Sequence, residues 1–139
     1  MIRVGETVFV DTSAWIALAL EADPFHAAAV AVWAELEGQG AKLRSTIPVL
    51  LETYTFLDRA YGRRIAVGWQ DALRKLPRFA PLPVTNADLE GAWSWLERRD
   101  LHKLSAVDAT SFVVMKRHKI RRAFAFDHHF ATAGFNLVG

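Results

Sequence analysis

The stretch Val8-Phe9-Val10-Asp11-Thr12-Ser13-Ala14-Trp15-Ile16-Ala17-Leu18 decides the fold. Its first three residues form a short apolar run that reads as a buried strand. Asp11, Thr12 and Ser13 all belong to the residue types that cap helix N-termini, because a short side-chain oxygen can accept from the unpaired N–H groups of the first turn. A helix is therefore predicted from Ala14. A buried strand that passes straight into a helix opens a β-α unit. Chains of such units build parallel sheets covered on both faces by helices.

The same grammar continues outward along the chain. Asp23-Pro24 predicts a helix that runs to about Glu37 and stops at Gly38. Lys42 to Thr46 fits a short strand. Pro48 opens a helix to about Tyr61, halted by Gly62, and another helix runs from Arg63 to about Leu76, ended by Pro77. Phe79 to Val84 holds two prolines, which suit an edge strand at best. Thr85 or Asn86 caps a helix to about Arg99, and Ser105 starts one that ends near His118. Ala123 to Phe126 reads as a strand ending at Asp127, followed by a short helix and a last strand near Phe135 to Val138. No internal repeat, low-complexity tract or linker interrupts the pattern, so residues 1–139 are expected to form a single α/β domain.

Composition narrows the function. With 52% hydrophobic and 23% charged residues among 139, the chain is globular in character. No apolar run approaches the roughly 18 residues of a membrane helix, and the first residues lack a signal-peptide pattern. The absence of cysteine excludes a disulfide framework and a thiolate zinc site, and makes a reducing compartment, the cytoplasm, the expected location. The net charge of +2 is unevenly spread. Before Gly40, Arg3 stands alone against Glu6, Asp11, Glu21, Asp23, Glu35 and Glu37. From Arg98 to Arg122, Arg98, Arg99, Lys103, Lys116, Arg117, Lys119, Arg121 and Arg122 face only Asp100 and Asp108. Such a segment suits either a phosphate backbone or a plain solvated face.

Ligands of open parallel sheets bind beyond the carboxyl ends of the strands, near the point where strand order reverses. Two predicted strands run into aspartates, Asp11 and Asp127. Each alone reads as a helix cap, but two caps at neighbouring strand ends bring two carboxylates together. Glu52 falls at the edge of the apolar arc of its helix, beside Phe56, where a boundary glutamate would also be at home. Asp108 lies on a helix that is apolar nearly all round, between Phe112 and Met115. A buried carboxylate is costly unless it is paired, protonated or bound to metal, although Ser105-x-x-Asp108 also matches a capping box. Jointly the acids have a chemical reason: hard cations such as Mg²⁺ and Mn²⁺ prefer carboxylates and water, and they promote phosphodiester hydrolysis. Adjacent histidines on a helix diverge, so His128 is read as an RNA contact and His129 as a packing residue.

Four segments carry a resemblance: FVDTSAWIAL at the start, PVLLETYTFL with its glutamate, LSAVDATSFVVMK, and AFAFDHHFATAGF near the end. Together they resemble the PIN-domain nucleases, and among these the VapC-type toxins of toxin–antitoxin pairs, over essentially the whole chain. The resemblance implies a three-layer α/β/α sandwich with a parallel sheet of about five strands, and Mg²⁺- or Mn²⁺-dependent cleavage of single-stranded RNA. It makes Asp11 and Asp108 the main metal ligands, with Glu52 and Asp127 completing the acidic pocket. Ser13 matches the family's hydroxyl two residues after the first acid. Water attacks phosphorus in this reading, with no covalent enzyme intermediate. The expected partners are RNA, a small antitoxin protein and a second copy of the chain in a homodimer. Lys116, Arg117, Lys119, Arg121, Arg122 and His128 are the expected RNA contacts. A PIN nuclease of RNA maturation is the alternative within the class. A non-catalytic RNA-binding module would leave Asp108 without a role. A phosphate-accepting receiver domain lacks its acid in residues 79–84, and a haloacid-dehalogenase-type phosphatase would need a second acid where Ser13 stands.

Overall fold

The computed structural model describes residues 2–139. Its described residues form five strands and seven helices: β1 (Thr7–Val10), α1 (Thr12–Ala19), α2 (His26–Gly38), β2 (Lys42–Thr46), α3 (Ile47–Tyr61), α4 (Arg63–Arg74), β3 (Phe79–Leu82), α5 (Asn86–Leu96), α6 (Ala106–Arg117), β4 (Arg122–Phe124), α7 (His129–Thr132) and β5 (Asn136–Leu137). All strand pairs are parallel, in the order β3-β2-β1-β4-β5. The chain steps from β1 outward to β2 and β3, then returns to add β4 on the other side of β1. Strand order thus reverses between β1 and β4, beside Asp11. Right-handed crossovers place α1–α4 on one face of the sheet and α5–α7 on the other, giving the expected α/β/α sandwich. The proline-bearing β3 is an edge strand, as its missing N–H requires.

The core lies on both sides of β1 and β4, whose Val8, Phe9, Val10, Ala123 and Phe124 are fully buried. On one side Phe112, Phe130 and Phe9 pack together, with Phe112 edge-on to Phe130 at 4.9 Å between ring centroids. On the other, Trp15 meets Trp33, Trp69 and Phe79 at 6.1, 6.0 and 5.8 Å. A buried indole needs an acceptor for its N–H. Trp15 Nε1 donates to Ser45 Oγ, 3.0 Å, and Ser45 Oγ donates to the Val10 carbonyl, 2.6 Å. This relay ties β2 to the last residue of β1 and braces the turn that carries Asp11. No helix among the described residues is long and apolar enough to cross a membrane.

Several boundaries differ from the sequence reading. The second helix begins at His26 rather than Pro24, because Asp23 caps a turn: its Oδ1 accepts from the Phe25 N–H, 2.8 Å, and its carbonyl from His26. Helices α4 and α5 stop at Arg74 and Leu96, short of Leu76 and Arg99. Strand β4 is Arg122–Phe124, so Asp127 lies three residues beyond its end. The Ser105–Asp108 capping box is only half formed. Ser105 Oγ accepts from the Asp108 N–H, but the Ser105 N–H donates no return bond to the Asp108 carboxylate. The complete box is Thr85 with Asp88.

Candidate active site

Asp11 is the N-cap of α1, and its cap geometry uses only half of the carboxylate. Oδ2 accepts from the Ser13 N–H at 3.2 Å and from Ser13 Oγ at 2.7 Å. Ser13 Oγ in turn accepts from the Phe126 N–H at 3.0 Å, which links the segment before Asp127 to the Asp11 turn. Oδ1 is buried with no hydrogen-bond partner. Such an orphan in a low-dielectric pocket costs free energy unless something binds it. Glu52, on α3, is held by Thr12, whose hydroxyl donates to Oε1 at 2.6 Å. Asp127 is fixed from the other side, its Oδ1 accepting from the His129 N–H at 2.9 Å.

Asp108 sits in the first turn of α6 and is 7% exposed. Its carboxyl group hydrogen-bonds with that of Asp127. Burial first, then the charges of Asp11 and Asp127, push Asp108 up to about 9, and Glu52 adds to the repulsion. Burial likewise lifts Asp11 to about 6, against the Ser13 hydrogen bonds that pull it down. For Asp127 burial acts upward too, but the His129 N–H, the proton shared with Asp108 and the His129 ring outweigh it and hold the group low. The four acids are thus within electrostatic reach of one another, and at neutral pH one proton is retained among them. A cation would relieve the same repulsion.

The fit to a hard divalent cation rests on two observations. Asp11 Oδ1 is buried and unpartnered, and ligand atoms of Asp108, Asp127 and His129 lie within 4.8 Å of one another. Carboxylate oxygens dominate the donor set, as Mg²⁺ and Mn²⁺ require.

His129 belongs to the cluster, which its reading as a packing residue missed. Its ring is nearly buried. Nε2 donates to the His102 carbonyl at 2.8 Å, and Nδ1 lies 3.0 Å from Asp127 Oδ1 without an aligned hydrogen bond. The useful signal was the spacing from Asp127 to His129, which lets one residue bond the acid through its backbone N–H and bring a ring nitrogen to 3.0 Å from it. His128 is on the surface beside the acid: its side chain is 83% exposed, with Nδ1 3.9 Å from Asp127 Oδ1.

The basic residues from Lys116 to Arg122 do not ring this pocket. Asp108 opens α6 at the acids, and the helix rise of about 1.5 Å per residue carries Lys116 about 12 Å along the axis away from it. Lys116, Lys119 and Arg121 line a separate cleft of about 430 Å³ with Phe135 and Asn136. That cleft borders the amino ends of β4 and β5, opposite the strand ends that carry Asp11 and Asp127. Arg122 lies 3.4 Å from Glu6 Oε2 at the same end.

Arg117 makes a bidentate pair with the buried Asp88, 2.9 and 2.8 Å. The Arg117 guanidinium holds the Asp88 carboxyl below its ordinary range. The pair therefore contributes stability above pH 3.8, the ordinary value, and that contribution fades as pH falls through the lowered one. Arg117→Ala is expected to lower the melting temperature at pH 7, with the deficit shrinking in strong acid. Lys116→Ala, which loses the contact of its ammonium with the Trp95 ring, and Lys119→Ala are expected to change it much less. Thermal melts across pH, with cleavage of a short oligonucleotide in parallel, check both. The lysine variants should cut such a substrate at the wild-type rate.

Comparison with known proteins agrees with this geometry. The PIN domain family model matches residues 8–136. The chain is 42% identical over 129 residues to the 23S rRNA-specific endonuclease VapC20 of Mycobacterium tuberculosis, covering 92% of this chain and 95% of that protein. The crystal structure of the M. tuberculosis VapC20, described as a sarcin-ricin loop cleaving toxin, superposes with a TM-score of 0.81 at 41% identity, over 92% of this chain and 95% of that one. VapBC2 of Rickettsia felis, solved bound to a DNA fragment from its promoter, shares the fold at a TM-score of 0.68 and 11% identity, over 94% of this chain and 96% of that one. PIN nucleases depend on divalent metal, and this chain has a cluster of acidic residues that includes Asp108 and Asp127. With the family model spanning nearly its whole length, the chain belongs to the PIN-domain family, among its VapC-type members.

Proposed function

We propose that the chain is a metal-dependent endoribonuclease, the toxin of a toxin–antitoxin pair, acting in the cytoplasm on an exposed loop of large-subunit ribosomal RNA. The carrying observation is the cluster of Asp108, Asp127 and His129, whose ligand atoms lie within 4.8 Å of one another, with Asp11 and Glu52 in electrostatic reach of Asp108. The substrate follows from the 42% identity to a 23S rRNA-specific enzyme.

Asp11 and Asp108 hold Mg²⁺ or Mn²⁺ in this reading, with Asp127 and Glu52 completing the pocket. Bound there, the ion supplies Lewis acidity to the phosphodiester and favours hydroxide over water. The protein's own part is orientation. Ser13 fixes one edge of Asp11 and leaves the other without a hydrogen-bond partner. Thr12 sets Glu52, and the α7 N–H of His129 sets Asp127. His128, exposed beside Asp127, contacts the RNA backbone. Lys116, Lys119 and Arg121 form a distant contact for the body of a large RNA.

The antitoxin site is the open groove of about 710 Å³ along α3, lined by Pro48, Leu51, Glu52, Phe56, Arg59 and Val107. Leu51 is 64% and Phe56 43% exposed there. An apolar helix laid in this groove reaches Glu52, and an arginine or lysine from it would occupy the acid pocket. A homodimer is part of the proposal.

Incubation of purified protein with ribosomes and Mg²⁺, followed by primer extension along the 23S rRNA, should map one dominant cut. Expression alone should arrest growth, and co-expression of an adjacent small gene should rescue it. Intact rRNA with unaffected growth would favour the RNA-maturation alternative.

A further inference from the structure

Beside the acids lies a second cleft, of about 310 Å³, whose lining includes Ser13 and Asp127 together with Asp23, Phe25, Phe56 and Phe126. Three phenylalanines line it, and two of its members belong to the acid site itself. Phe25 caps α2 and is 49% exposed. Its ring stacks on Phe126, with centroids 4.7 Å apart and an interplanar angle of 12°. Phe126 is anchored beneath it. Its N–H donates to Ser13 Oγ, and its ring meets the buried Phe124 edge-on at 5.9 Å. The turn closed by Asp23 Oδ1 and the Phe25 N–H holds Phe25 in place. Phe56, 43% exposed, forms a further wall.

We propose that the Phe25–Phe126 stack is a platform for one unpaired nucleobase next to the scissile phosphate, making Phe25 a substrate-positioning residue. The proposal rests on the nuclease reading and specifies how that site takes its substrate. An exposed phenylalanine stacked nearly parallel on an anchored one offers a flat, fixed aromatic face, and every base has a π-face to set against it. Phe126 is one residue, about 3.8 Å in Cα spacing, from Asp127, so a base on the stack and a phosphate at the acids can belong to neighbouring positions on one strand. A base inside a duplex cannot reach the platform, so the platform selects loops and unpaired segments. Asp23 accepts hydrogen bonds only, and on the rim it favours a base that presents a donor edge.

A walk of 2-aminopurine through a single-stranded oligonucleotide, cut by the wild type in Mg²⁺, tests this. The cleavage-blocked variant D11N should quench the fluorophore at one or two adjacent positions. D11N with Phe25→Ala should lose that quenching, and D11N with Phe25→Trp should keep it. With the acids intact, Phe25→Ala should raise KM by about ten- to a hundredfold, the range base–aromatic stacking covers, with a smaller change in kcat. An abasic site at the quenched position should cost the wild type a similar factor and cost Phe25→Ala little more. Phe25→Leu, which preserves apolar volume without the aromatic face, should behave as Phe25→Ala does. Equal KM for wild type, Phe25→Ala and Phe25→Leu would overturn the proposal, as would a loss confined to antitoxin binding. A wild type that cuts no RNA would instead overturn the nuclease reading, while quenching in D11N that depends on Phe25 would still support the platform.

Discussion

Asp108→Asn is expected to lower RNA cleavage by about a thousandfold or more, the scale of a lost metal contribution, while making the metal-free protein more stable. Both effects come from one carboxyl group. Asp108 is buried against Asp11 and Asp127 and is held protonated up to about pH 9. An asparagine there keeps a donor toward Asp127 and never ionises. The sign of the pH dependence follows from the direction of the shift. A group raised in the folded state contributes its full stability below its ordinary value, 3.8, and loses it as pH rises through about 9. The variant has no such loss. Its advantage over wild type should be absent near pH 4 and should grow to about 2 kcal/mol or more toward pH 9. Asp11, raised to about 6, adds a loss of the same sign between its ordinary value and that pH in both proteins. Denaturant melts in chelator at several pH values measure the gap, and a cleavage assay in Mg²⁺ measures the cost. A variant that cuts at the wild-type rate, or is less stable at pH 8, would remove Asp108 from the site.

Removal of divalent metal is expected to abolish cleavage completely, with recovery on adding Mg²⁺ or Mn²⁺. The same ion should act on folding. A ligand that binds only the folded state stabilises it by about 2.7 kcal/mol at a hundred times its dissociation constant, and here it also relieves the repulsion among the acids. The melting temperature should therefore rise with Mg²⁺ in the wild type and much less in Asp108→Asn. Because the cation displaces the proton that Asp108 retains up to about pH 9, binding should release protons and tighten as pH rises toward that value. Calorimetry in two buffers of different ionisation enthalpy reads the proton count. Metal-independent melting, together with cleavage in excess chelator, would contradict the carboxylate site.

The acids show how far the sequence reaches. Asp11 was legible because a strand, a cap triplet and a helix follow one another within a few residues, so the carboxylate had to lie at a strand end. Asp108 was legible because an apolar helix leaves a carboxylate no water. The order β3-β2-β1-β4-β5 needed three dimensions, since the return of the chain from β3 to β4 has no local signal. That return makes Asp11 and Asp127 neighbours.

The basic segment shows the limit from the other side. Its charge density pointed to phosphate, but charge along a chain carries no direction. Helix α6 starts at the acids and ends at the far side of the sheet, taking Lys116, Lys119 and Arg121 with it. Arg117 is drawn into a pair with Asp88 from another helix. Phe25 and Phe126 are 101 positions apart in sequence by their numbers and stack only because the turn after α1 meets the segment after β4. Local pattern therefore determined the elements, most of their caps, the strand-end placement of Asp11 and the burial of Asp108, since each depends on neighbours within a turn or two. Tertiary structure decided which acid donates to which, that His129 joins them, and that an aromatic cleft opens beside them, because those contacts depend on crossovers between distant segments.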